Sequence, residues 1–152
     1  MGKINLGRVI VGGIVAGIVA DILGFLVDGV WLAPQWADGM KALGRSEFTV
    51  NQMVGFNLLG IATGIFALWV YAAIRPRYGA GPRTAVYAGL AAWVASALFP
   101  NVAFMGITGF FPLNLTLLTT LGGIVEWVVG ALAGAALYQE ASGTSQTMAA
   151  RA

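Results

Sequence analysis

The sequence predicts an all-α integral membrane bundle of four transmembrane helices, and three observations carry that prediction. First, hydrophobic residues make up 59% of the 152-residue chain and charged residues only 9%, whereas soluble domains run near a quarter charged. Mean hydropathy is accordingly high, at +0.83. Second, four apolar stretches, approximately residues 9–32, 54–74, 85–107 and 113–137, are each long enough to cross the bilayer, since about 30 Å of hydrocarbon needs roughly 20 helical residues. Third, these stretches are continuous rather than alternating, which argues against the strands of a membrane barrel.

The first stretch opens as "MGKINLGRVIVGG", with Lys3 and Arg8 ahead of an apolar run. No A-x-A-like cleavage site follows and the run continues, so an uncleaved first membrane helix is expected rather than a signal peptide. The second stretch follows Thr49, whose spacing to Gln52 is that of a capping box. "RPRYGAGPR" (75–83) separates the second and third stretches as a Pro/Gly/Arg hairpin, and "GITGFFPLN" (106–114) separates the third and fourth as a short uncharged turn. Within the loop 33–47, "PQWADGMKALGR" suits a short amphipathic helix at the membrane interface, with Trp31 and Trp36 as aromatic anchors. Residues 1–139 thus read as one membrane domain, and the small, polar stretch 140–152 as a flexible tail.

Four spans place the N-terminus, the 75–83 loop and the C-terminus on one side. That side holds Lys3, Arg8, Arg75, Arg77, Arg83 and Arg151, six of the eight basic residues, while Lys41 and Arg45 lie on the other. The positive-inside rule then puts both termini in the cytoplasm of a cell's inner (plasma) membrane. A formal net charge of +2 is read as topology, not as a nucleic-acid footprint. The chain has neither cysteine nor histidine, which removes thiol redox chemistry, imidazole metal sites and Ser-His or Cys-His catalysis. No metal, cofactor or enzymatic activity is expected.

Each span carries a stripe of small residues at helical spacing. Gly13, Gly17, Ala20 and Gly24 share the first with Asp21 and Asp28; the second aligns Asn57, Gly60, Gly64 and Tyr71; the third Gly89, Ala92, Trp93, Ser96 and Pro100; the fourth Thr119, Gly122, Glu126, Gly130 and Gly134. Small residues let helix backbones approach where lipid supplies no hydrophobic drive, so these stripes predict helix–helix packing and oligomerisation. Pro100 lacks the donor that would engage the Ser96 carbonyl, which predicts a distortion of the third helix at that level.

The acids are the unusual feature. A carboxylate near the bilayer centre costs on the order of 3 kcal/mol, yet Asp21 and Glu126 lie midway along oppositely running spans, with no lysine or arginine in any span interior. Asp28 lies roughly 10 Å further out on the stripe of Asp21, at 1.5 Å per residue. Together with Asn57, Ser96 and Asn101, these acids form a candidate polar track. Three readings stand side by side: neutral carboxyls acting as interhelical glue, a proton or cation path, and a contact with a cationic or polar group on a partner subunit.

The segment "GVWLAPQWADGMKALG" (29–44) resembles a feature of a family of small four-helix bacterial membrane proteins of unknown function: Gly-x-Trp at the end of the first helix, then Pro, Trp and Lys-x-x-Gly. The matching positions are Gly29, Trp31, Pro34, Trp36 and Lys41 through Gly44. The resemblance covers about a tenth of the chain and implies a bacterial inner-membrane location, with no activity attached. The acid in the first helix (Asp21) and the tryptophan in the third (Trp93) also look like those of small multidrug transporters, an analogy of mechanism. Two function classes follow: a non-catalytic packing or accessory subunit of a membrane assembly, homo- or hetero-oligomeric, and a small proton- or cation-coupled transporter or channel using the midplane carboxylates.

Overall fold

Helix boundaries follow local chemistry. Asn5 caps the first helix by accepting from the Arg8 N–H (3.2 Å). Thr49 and Gln52 form the reciprocal capping box that their spacing predicts. Pro82, in the first turn of its helix, withholds an N–H that would have no partner there. The computed structural model describes residues 4–46 and 48–140. Among them lie five helices and no strand: α1 (Leu6–Trp31), α2 (Ala33–Ala42), α3 (Val50–Tyr78), α4 (Pro82–Ile107) and α5 (Leu113–Ala135). All but α2 are long and apolar enough to cross a membrane, so the chain is a multi-pass, four-helix membrane bundle. The expected tail, apart from Glu140, lies outside the described residues, as do Lys3, Glu47 and Arg151.

α1 packs between α3 and α5, and α4 closes the ring by packing on α5 and α3, which leaves α1 and α4 diagonally opposite. The contacts are backbone against backbone. A methyl group placed on Gly12 would lie 2.8 Å from the Gly134 carbonyl oxygen, one on Gly130 2.6 Å from that of Ala16, and one on Gly89 2.6 Å from that of Trp127. Gly13 and Gly17 of α1 meet Ile65 and Ile61 of α3, and Gly64 meets both glycines in return. Small residues thus line the α1–α3, α1–α5 and α4–α5 seams. Dispersion between closely approaching backbones supplies the cohesion that lipid does not.

The end bearing the termini is tightly closed. Gly79 and Gly81 have φ values of 86° and 131°, a region L side chains rarely adopt, and this lets the α3–α4 hairpin turn in three residues. The hairpin is tied down on both sides: the Thr84 hydroxyl donates to the Gly79 carbonyl (2.7 Å), and the Gly81 N–H donates to the Tyr71 hydroxyl (3.3 Å). Tyr138 stacks edge-on against Tyr71, accepts from the Asn5 N–H (3.3 Å) and lies beneath the Arg75 guanidinium, which pairs with Glu140 at 3.1 Å.

The opposite end, where α2 lies, is looser. α2 is the amphipathic helix the loop sequence predicts, and its buried Gly39 lets the backbone settle on Phe111 and Leu115 at the start of α5. α1 widens to π-helical turns over Phe25–Trp31, and α4 does so over Val94–Leu98 and Val102–Ile107, either side of Pro100. The distortion expected at Pro100 thus takes the form of widened turns, in which longer-range bonds replace those a proline cannot make.

Candidate functional site

The site is built around Gly24. The α1 and α5 stripes converge there, and the glycine leaves room for the Glu126 side chain to cross the seam. A methyl group at Gly24 would lie 3.3 Å from one carboxylate oxygen of Glu126, and one at Gly122 would lie 3.6 Å from the other. One turn towards the terminal end, Asp21 covers Gly60 of α3, so closely that any side chain at position 60 would strike its carboxylate. One turn the other way, Asp28 sits on the widened stretch of α1, where local π-helical turns often mark functional positions. Glu126 is within Coulombic reach of both aspartates. Asp21 and Glu126, which the sequence pairs by depth, therefore lie near one another, with Asp28 close to Glu126 as well.

Their environments differ. Asp28 accepts a hydrogen bond from the Trp36 indole N–H at 3.0 Å. Trp36 does more than anchor the interface, since it packs edge-on against Phe111 and Phe48, and Phe48 packs against Phe56 of α3. A bridge of Asp28, Trp36, Phe48 and Phe56 thus links α1 to α3 across the α2 end. Trp31, by contrast, is 61% exposed and suits a purely interfacial anchor. Asp21 is half-buried. One Glu126 oxygen is buried without a hydrogen-bond partner. Interhelical glue would bond the acids to each other or to Asn57; among the described residues neither bond is present, and Asn57 donates to the Met53 carbonyl instead.

The neutral members of the candidate track are bonded elsewhere. The Asn57 amide donates to the Met53 carbonyl (2.7 Å) and the Ser96 hydroxyl to the Ala92 carbonyl (2.8 Å), each one turn back on its own helix. Asn101 donates to the Thr120 hydroxyl (3.0 Å) in the α4–α5 seam, where Thr120 donates to the Thr116 carbonyl and Trp93 to the Thr120 carbonyl (2.7 Å). In a low-dielectric seam each polar group satisfies itself on the nearest acceptor. The continuous track therefore resolves into an acid group on α1 and α5 and a separate polar zipper between α4 and α5. The zipper threonines escape a reading that follows only charged residues; their T-x-x-x-T spacing opposite Asn101 is the signal that would have found them. Tyr71 is occupied at the hairpin and does not reach the acids.

Comparison of the chain with protein-family models, curated proteins and solved structures gives no match. The functional reading therefore rests on the geometry itself.

That geometry has one further element. On the α3 stripe Tyr71, Gly64 and Gly60 are buried, the two glycines against α1, but Asn57, the next residue on it, is exposed, and so is every residue from 50 to 59. Above Gly60, α3 leaves its neighbours. On the α4 side the separation opens a groove of about 490 Å³ lined by Leu59, Thr63, Phe66, Ala95, Ser96 and Pro100.

Proposed function

We propose that this chain is a non-catalytic accessory subunit of a membrane assembly, and that Asp21, with Glu126 and Asp28 behind it, forms its partner-contact site. The observation that carries this reading is the position of Asp21, half-exposed on the lipid side, with close packing and an aromatic bridge on either side of the acids. Towards the terminal end the acids meet backbone-to-backbone packing at Gly12–Gly134, Ala16–Gly130 and Gly13–Gly64. Across the α2 end runs the Asp28–Trp36–Phe48–Phe56 bridge. Asp21 is half-buried on α1 beside exposed Ile18 and Ile22, and so is approached from the lipid side. A polar group there suits a protein partner better than a dissolved ion. The resemblance of residues 29–44 and the distribution of basic residues favour the bacterial inner membrane, with both termini cytoplasmic.

A second reading, a proton- or cation-coupled transporter, is favoured by the unpartnered buried oxygen of Glu126 beside two other carboxylates. Amide variants separate the two. Asp21→Asn and Glu126→Gln keep shape while removing the charge. In the accessory subunit, Asp21→Asn stays folded in mild detergent but no longer copurifies its membrane partner, and neither the parent nor the variants carry proton-coupled flux in liposomes. In a transporter the parent carries flux, Glu126→Gln abolishes it, and assembly survives. Loss of intrinsic stability in both variants would contradict both readings.

A further inference from the structure

The divergence of α1 and α3 above Gly60 exposes facing stripes on the two helices, and their chemistry is specific. On α1 the stripe presents Asp21, which among the described residues makes no hydrogen bond. On α3 it presents Asn57, whose amide gives one N–H to the Met53 carbonyl while its side-chain oxygen remains free to accept. Both groups can accept, and both lie in helices that cross the membrane. The aromatic bridge from Asp28 to Phe56 spans the α2 end of this opening, so the way in is lateral, from lipid.

We propose that this α1–α3 cleft is the docking surface for one transmembrane helix of a partner protein, carrying a single lysine or arginine at the depth of Asp21. The proposal rests on the accessory-subunit reading and names the partner chemistry it requires. Acceptors on both walls call for a donor, and a carboxylate calls for a cation. A second copy of this chain does not suit the role, because among the described residues its basic side chains lie at helix ends or outside the helices, away from the depth of Asp21. A lipid ammonium headgroup stays at the surface, whereas Asp21 is ten residues, about 15 Å, from the α2 end of α1. A helix fits the opening because every residue of α3 from 50 to 59 is exposed, which leaves room beside that helix for another.

The test uses the full chain in phosphatidylcholine vesicles with synthetic Leu/Ala helices about 20 residues long, carrying Lys, Leu or Glu at the centre. Association is read by energy transfer from a donor on the peptide to an acceptor on a cysteine introduced at Ala42. The Lys helix is expected to associate about tenfold more tightly than the Leu helix, the gain of one interhelical polar contact, and the Glu helix no better than Leu. Asp21→Asn should erase the preference for Lys while leaving helical content unchanged. Asn57→Trp, at an exposed position, should erase it by filling the cleft without touching an acid, and decides the matter if Asp21→Asn does not fold. Equal association of the Lys and Leu helices, or a Lys preference surviving Asn57→Trp, overturns the proposal. If a native partner copurifies and depends on Asp21 while the Lys helix shows no preference, the cleft assignment fails and the accessory reading stands. If no membrane partner copurifies, that reading fails on its own account.

Discussion

A methyl group at Gly24 would lie 3.3 Å from a carboxylate oxygen, the far end of a flexible side chain, whereas one at Gly17 would meet the Ile61 Cα at 2.5 Å and the Gly60 carbonyl oxygen at 2.9 Å. The same substitution therefore has different consequences at two glycines on one stripe. Gly24→Ala is expected to be tolerated, with Glu126 shifting by a few tenths of an ångström. Gly17→Ala must push two backbones apart and should cost about 1–3 kcal/mol, as overpacking does in tight interiors. Equilibrium unfolding in mixed micelles measures both, and equal losses at the two sites would show that side chain and backbone yield alike. At this scale the sequence is candid about which residues matter and silent about what they touch. Asp21, Asp28 and Glu126 stand out because charge is rare in lipid. The Trp36 bond to Asp28 does not, since a separation of eight residues and a change of helix direction part the pair.

At the level of the helix, glycine content alone predicts nothing, because the sign of a substitution depends on whether the helix has a neighbour there. Gly55 lies in the part of α3 that has left the bundle, and nothing lies within 4 Å of an added methyl; at Gly89 of α4 the Trp127 carbonyl oxygen is 2.6 Å away. Gly55→Ala should stabilise α3 by up to about 1 kcal/mol through backbone entropy alone, while Gly89→Ala should destabilise the α4–α5 seam. Thermal unfolding in detergent gives both signs; destabilisation by Gly55→Ala would mean that the outer third of α3 is covered in the folded protein. Element positions were legible because long apolar runs, a capping box and a Pro/Gly hairpin are local signals. The widened turns of α1 and α4 were only partly so: Pro100 announces one distortion, but nothing local announces that of Phe25–Trp31. The departure of α3 above Gly60 was not legible either, since its stripe continues unbroken into Asn57.

For the molecule as a whole, the small-residue stripes meet in pairs, with α1 between α3 and α5. Pairwise packing of this kind was foreseeable; which helices are neighbours was not, because four similar stripes allow several rings. Orientation remains to be measured on the chain itself, and the lack of native cysteine makes the measurement direct. With the termini inside, a cysteine replacing the exposed Ala80 should be shielded from a membrane-impermeant thiol reagent in intact cells, and one replacing the exposed Ala42 should react. The reverse pattern would turn the molecule over and place the acid group in the cytoplasmic half of the membrane.

The contact between α1 and α5 joins the earliest and latest of the described helices to be synthesised, and it sets a schedule for biogenesis. When α1 enters the membrane, its Gly12–Ala16 face has no partner; α3 covers the neighbouring Gly13–Gly17 face next, and the Gly12–Ala16 face waits until α5 brings Gly130 and Gly134. Until α5 is made that notch is open to other helices in the bilayer, and the ring closes only when α5 enters. A chain stopped after residue 112 should therefore insert with three helices yet be cleared quickly by membrane proteases, and supplying α5 as a separate segment should extend its lifetime in a pulse-chase experiment. Rescue that fails when the supplied segment carries Gly130→Leu would identify the notch itself as the feature by which the cell tells a finished bundle from an unfinished one.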